Sequence, residues 1–180
     1  MTIPTSMGSH ILGILKGKRD DLVDYTGILN ATANANGAVV AGRVMTLDGS
    51  GLLVPGLALG TLPFYAWSGL DANNAPDVLR TRGMPYSGAV PFGTYSYKCA
   101  AELTTTEFDS TLSYPPGTAL TALSTAATTL ANAGMLRPVA ASTDVVVGYV
   151  SPAGKFTGVD GYPTLAFYPD YVKGTTVLAA

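Results

Sequence analysis

The sequence predicts a mainly β protein: a small antiparallel β-sandwich or β-barrel with an extended N-terminal arm and at most one or two short helices. Three observations lead there. Apolar residues recur with a period near two in short runs rich in Val, Thr, Tyr and Phe. Those runs are punctuated by turn residues, for the 180-residue chain holds 21 Gly and 12 Pro. Charged residues make up 12% of the chain against 47% hydrophobic ones, whereas an ordinary domain carries roughly a quarter charged residues. The length suits a single domain over residues 11–180, preceded by an arm over 1–10.

The arm, Met1 to His10, is polar, small and without periodicity, which marks a segment that orders on contact with something else. Beyond it Ile11-Leu12-Gly13-Ile14-Leu15 is apolar but broken by glycine. Lys16, Lys18, Arg19, Asp20, Asp21 and Asp24 then crowd into a solvated turn or short helix. From Ala38 to Leu47 the pattern is that of a strand. Asp48-Gly49-Ser50-Gly51 supplies turn chemistry and Leu52-Leu53-Val54-Pro55 returns, which makes a hairpin. Thr61 to Trp67 is a second strand, followed by a long polar connection through Asn73, Asn74, Pro76 and Asp77. Tyr95 to Leu103 is a third, running into Thr104-Thr105-Thr106, whose branched Cβ atoms favour extension.

Leu120 to Ala133, rich in Ala and Leu, reads as one amphipathic helix closed by Gly134, although Thr121, Thr125, Thr128 and Thr129 weaken it. Strand signal returns at Leu136-Arg137-Pro138-Val139. A polar turn at Ser142-Thr143-Asp144 precedes Val145 to Val150, whose unbroken apolar run predicts burial on both faces. Ser151-Pro152-Ala153-Gly154 reads as a turn. The last strand, Tyr162 to Tyr168, carries Pro163 and is followed by Pro169. Each proline removes a ladder donor, which predicts an edge strand or one that ends in a bend.

Ten Lys and Arg against twelve Asp and Glu give a net charge of -2, so no basic face is available for a run of phosphates and no direct nucleic-acid partner is expected. The apolar stretch Leu52 to Leu62 is broken by Pro55, Gly56 and Gly60, and no run approaches the roughly 20 residues of a membrane span. The N-terminus lacks the basic start and apolar centre of a signal peptide. Asn30-Ala31-Thr32 matches a glycosylation acceptor, a match with little force where no export signal is read.

Catalytic chemistry finds little support. The lone His10 lies in the arm, where no triad, dyad or metal cluster can form around it. The lone Cys99 reads as a packed strand residue, with no neighbouring His to deprotonate it. The carboxylate pairs Asp20 with Asp21, Glu102 with Glu107 and Asp160 with Asp170 read as solvated turn and strand-end residues. Gly49-Ser50-Gly51 lacks the Lys of a phosphate loop, and Asp48 to Gly51 lacks the further ligands of a calcium loop. No enzyme activity, cofactor or metal is expected. Ten tyrosines stand beside five Phe and one Trp. Tyrosine suits strand packing, protein interfaces and carbohydrate grooves alike.

Several segments together resemble the head decoration, or cement, proteins of tailed bacteriophages. They are the hairpin Gly42 to Gly56, Leu62-Pro63-Phe64-Tyr65-Ala66, Glu102 to Asp109, Asp144 to Ser151 and Leu165 to Tyr171. The similarity spans most of residues 37–173 and rests on strand patterns of small residues; the arm and the stretch 120–133 have no counterpart in it. In such proteins the stretch 120–133 would equally be a loop leading into a strand. The resemblance implies a structural virion protein on the outer capsid surface, often a homotrimer, that bridges copies of the major capsid protein and has no active site. Thr2, Ile3, Pro4, Met7 and His10 of the arm are the expected contacts to a neighbour. Tyr162, Phe167, Tyr168 and Tyr171 are expected at the core edge or a subunit contact. A tail-tube or other ring-forming subunit and a carbohydrate-binding adhesin module are the competing expectations.

Overall fold

In the computed structural model the described residues are 12–16, 24–28, 30, 42–57, 63–71, 91–96, 102–124, 132–158 and 161–172. They form eleven strands in two antiparallel sheets. The first sheet joins β1 (Leu12–Lys16), β7 (Glu102–Thr105), β11 (Pro163–Val172), β10 (Val146–Thr157), β8 (Ala119–Ala122) and β9 (Leu136–Pro138), in that spatial order. The second joins β2 (Asp24–Ile28), β6 (Pro91–Ser96), β5 (Phe64–Asp71), β3 (Val44–Leu47) and β4 (Leu53–Pro55). No α-helix occurs among the described residues.

The two sheets share one core, the sandwich form of the two architectures expected. Leu103, Leu120, Leu136, Val150, Leu165 and Phe167 from the first sheet meet Val44 and Tyr65 from the second. Tyr65 and Phe167 pack at 5.2 Å between ring centroids with planes tilted by 46°, a pairing worth about 0.5–1.5 kcal/mol beyond the area it buries. The Tyr65 hydroxyl donates to the Val147 carbonyl of the opposite sheet, so the ring enters the core without stranding its polar end.

The β3–β4 hairpin forms as its sequence demands. Asp48 turns the chain by accepting the amides of Ser50 at 2.8 Å and Leu52 at 2.9 Å on Oδ1, and Gly51 takes the left-handed φ of 76°. Main-chain bonds then lace this corner to the other sheet. The Val44 amide donates to the Gly134 carbonyl and the Leu57 amide to Leu123, while the Gly56 amide donates to Val44 within the hairpin itself. Gly134 must be glycine here: its φ is 82°, and a Cβ would run into the Val44 carbonyl oxygen.

Several expectations are corrected. The helix over 120–133 is not formed where the chain is described: Ala119–Ala122 is strand β8, with Leu120, Thr121 and Ala122 paired to Pro138, Arg137 and Leu136. Branched Thr121 extends readily and is buried in the pairing. The single strand expected from Tyr95 into the threonines is two strands, β6 and β7, belonging to different sheets. Ser151-Pro152-Ala153-Gly154 is no chain reversal but a bulge inside β10. The ladder steps from Val150 opposite Phe167 to Lys155 opposite Leu165, so four residues face one. β11 is central, not an edge. Its prolines are tolerated because the part paired on both sides is only Leu165 to Phe167, and Pro163 and Pro169 lie outside it. The arm 1–10, the charged cluster 17–21, Ala38 to Ala41, the connection after Asp71 and Cys99 lie outside the described residues.

Gly134→Ala is expected to lower the urea midpoint well below that of Gly51→Ala. The second substitution has open space around its new Cβ and costs only the left-handed strain of about 1–2 kcal/mol; the first adds a backbone collision.

Candidate functional site

The carboxylates expected in solvent are the first surprise. Glu102 is 1% exposed and Glu107 4% exposed. Glu107 accepts a charge-assisted bond of 2.8 Å from Arg43 Nε, and Arg43 Nη1 lies 3.4 Å from the Ala133 carbonyl oxygen. Glu102 stands opposite Lys16 in the β1–β7 ladder. The Arg43–Glu107 charges neutralise one another between the sheets, an arrangement that orients chain segments and presents nothing to a substrate. Asp170 is half-buried on β11, while Asp20, Asp21 and Asp160 lie outside the described residues. Among the described residues no three His, Cys, Asp or Glu side chains are grouped to hold a metal ion.

The surface offers more. Among the described residues four large apolar side chains are exposed: Ile28, Leu112, Tyr162 and Tyr168. Tyr162 and Tyr168, both expected at the core edge or a subunit contact, are thus on the surface. Phe167, the third residue of that set, is fully buried in the core against Tyr65. Tyr171 is in β11, and Thr2, Ile3, Pro4, Met7 and His10 lie outside the described residues.

Leu112 sits on a feature the sequence reading missed. Residues 106–118, which connect β7 to β8, contain no strand, yet they are tethered throughout. Phe108 bridges to Leu136, and the Tyr114 hydroxyl is 2.9 Å from the Asp109 carbonyl oxygen and 3.3 Å from that of Leu136. The Gly117 amide donates to Val150. The Lys155 ammonium donates to the Ser110 carbonyl and lies 5.9 Å from the centre of the Phe108 ring. Phe108 and Tyr114 themselves meet edge to face at 5.3 Å. A long connection without regular structure that is this firmly held is a common setting for a binding surface.

Between this loop and the β10 bulge runs an open groove of about 610 Å³, with Leu112, Tyr114, Pro115 and Pro116 beside the polar Thr111 and Ser113 on one wall and Pro152, Ala153 and Lys155 on the other. The signals were visible as two Pro and Gly clusters, Tyr114-Pro115-Pro116-Gly117 and Ser151-Pro152-Ala153-Gly154. What they could not reveal is that a bulge and a loop far apart in sequence meet. The electrostatics are quiet. Asp109 is held below its ordinary carboxylate value by the Thr111 hydroxyl and amide. Asp48 is likewise lowered, first by the Leu52 amide and then by the Asn30 side chain. Asn30, the residue of the glycosylation match, spends its side-chain amide on Asp48 at 2.7 Å. Burial, reinforced by the Asp109 charge, pushes the Tyr114 phenol well above its ordinary value of 10.

No protein-family model, curated protein or solved structure matches the chain.

Two outcomes follow from this geometry. Glu107→Leu, which leaves Arg43 buried without its partner charge, is expected to cost about 3–5 kcal/mol in chemical denaturation, and the double substitution Arg43→Met with Glu107→Leu to recover most of it. Because the fold favours the neutral Tyr114 phenol, its contribution is intact below the unfolded-state value near 10 and declines as pH rises above it. Tyr114→Phe should therefore flatten the loss of unfolding free energy between neutral and strongly alkaline pH, while lowering stability at pH 7.

Proposed function

We propose that the protein is a structural virion component that binds the outer surface of a phage capsid, self-associates as a homotrimer and stabilises the shell by bridging major capsid protein subunits. The observation that carries this reading is the exposed apolar rim at Leu112, Pro115, Pro116, Pro152 and Ala153, set on a loop pinned to the β body. A held surface on which these apolar groups alternate with the uncharged Thr111 and Ser113, its Lys155 already engaged by the Ser110 carbonyl, loses little entropy and little hydration of charge when another protein covers it. Three further features support it: exposed Tyr162 and Tyr168 on the β11 side, a chain with half the usual share of charges, and the resemblance to head decoration proteins carried by the strand segments above. The work performed would be mechanical. Weak contacts repeated over many capsomer joints add through avidity and oppose the pressure of packaged DNA. It requires no reaction and no cofactor, and the partner is protein, not nucleic acid or membrane.

Purified protein added at saturation to shells that lack it should bind them and raise the temperature at which they rupture. Saturated shells that rupture at an unchanged temperature would refute the proposal.

A further inference from the structure

The turn of the β3–β4 hairpin contains a dipeptide with a chemical liability of its own, Asp48-Gly49. An aspartate followed by glycine can rearrange the main chain without an enzyme. The Gly49 nitrogen attacks Asp48 Cγ, so that an N–Cγ bond forms and a Cγ–O bond breaks. The departing oxygen leaves as water, taking the carboxyl proton and the amide proton, and a cyclic succinimide remains. Water then adds back, and opening at the main-chain carbonyl gives isoaspartate, in which the chain runs through the former side chain. The sum is an isomerisation that needs no oxidant and no cofactor. Glycine favours it because no Cβ obstructs the approach of the nitrogen.

Neither burial nor crowding shields this dipeptide. Gly49, Ser50 and Gly51 are exposed, and a Cβ on Gly49 would meet nothing within 4 Å. What is held is the carboxylate. Oδ1 accepts the Ser50 amide at 2.8 Å and the Leu52 amide at 2.9 Å, bonds that belong to the turn itself. Oδ2 accepts Nδ2 of Asn30 at 2.7 Å, from eighteen residues earlier in the chain. Asn30 is anchored in its own right, since its main-chain amide donates to the Leu53 carbonyl of β4 at 2.9 Å. The carboxylate is therefore gripped at both oxygens. Ring closure moves Cγ and both oxygens together, so it has to break bonds on each. It also needs a protonated carboxyl as the leaving group, whereas these bonds favour the ionised form. In keeping with that, the Asp48 carboxyl is held below its ordinary value, first by the Leu52 amide and then by the Asn30 side chain.

We propose that Asn30 is a positioning residue that guards Asp48 against isomerisation, and that Asp48 is where the hairpin ages once this guard is removed. Isoaspartate at 48 inserts a methylene into the main chain of the turn. The bonds from the Asp48 amide to the Leu52 carbonyl and from the Gly51 amide to the Asp48 carbonyl then lose their spacing. The hairpin that places Val44 and Leu53 in the core loosens with them.

The test ages the full chain in mildly acidic buffer and quantifies isoaspartate at position 48 by peptide mapping with electron-transfer fragmentation, which separates the two isomers. Wild-type protein is expected to form it at least about tenfold more slowly when folded than in urea at the same pH. Equal rates would overturn the proposal, and this comparison requires no substitution. Asn30→Ala removes the donor, and Asn30→Asp removes it with the shape kept. Each is expected to raise the rate in folded protein by about fivefold or more, with the near-ultraviolet circular dichroism retained. An unchanged rate in these variants would overturn the role of Asn30. Tyr114→Phe, which lowers stability away from the hairpin, is expected to leave the rate at 48 as it is. A rise there equal to that of the Asn30 variants would also overturn it, because general loosening would then account for the effect.

Discussion

The buried bond between Arg43 and Glu107 fixes the relation on which the rest of the architecture turns. Arg43 immediately precedes β3 in one sheet, and Glu107 follows β7 in the other. Around them the Thr105 hydroxyl donates to the Gly42 carbonyl, the Glu107 amide donates to Thr105 Oγ1, and the Leu136 amide donates to Glu107. The segment that leaves the core is thus held before loop 106–118 begins. A buried pair of this sort adds little net stability, because desolvation consumes most of the attraction, yet it penalises any arrangement that separates the two charges. Its effect is selection among alignments of the sheets, and the position of the groove depends on that selection.

The strands that sequence reasoning located well are those whose partner lies next to them in the chain. The β3–β4 hairpin follows from Asp48, whose carboxylate gathers the turn amides, and the burial of Val146, Val147 and Val150 follows from an apolar run without alternation. Expectations failed where the deciding partner is distant. Leu120 to Ala122 carry enough Ala and Leu for a helix, but pairing with β9 and β10 offers these residues a ladder and a core that an isolated segment does not reveal. Gly and Pro at 151–154 signal a departure from regular strand, and the same chemistry serves a reversal or a bulge. Glu102 and Glu107 look like surface residues until Arg43 and the opposite sheet are in place. Tyr162 lies at the turn before β11 and Tyr168 within it opposite Tyr149, and both are exposed while their neighbour Phe167 is buried. The groove was not legible, since its two walls are separated by more than thirty residues of chain.

The low charge of the protein acquires a physical meaning beside this geometry. A surface with few charges loses little solvation when it is covered, which favours contacts made of apolar and main-chain groups and leaves such contacts only weakly dependent on salt. It also leaves the free protein with little electrostatic repulsion between copies. The same property therefore promotes wanted association and unwanted association, and only shape distinguishes the two. Rigid features such as the tethered loop and the bulge supply that shape.

The order of strands in the first sheet has a kinetic consequence. Leu12 in β1 pairs with Thr105 in β7, and Thr105 in turn pairs with Leu165 in β11. Each of those ladders closes a loop of many tens of residues before any bonding compensates for the lost freedom. A chain emerging from the ribosome cannot complete this sheet until β11, ending at Val172, has been synthesised. High contact order thus makes folding slow and leaves early strands waiting with open edges, so the time spent in that waiting state, more than the final stability, sets how much of the protein is lost to aggregation.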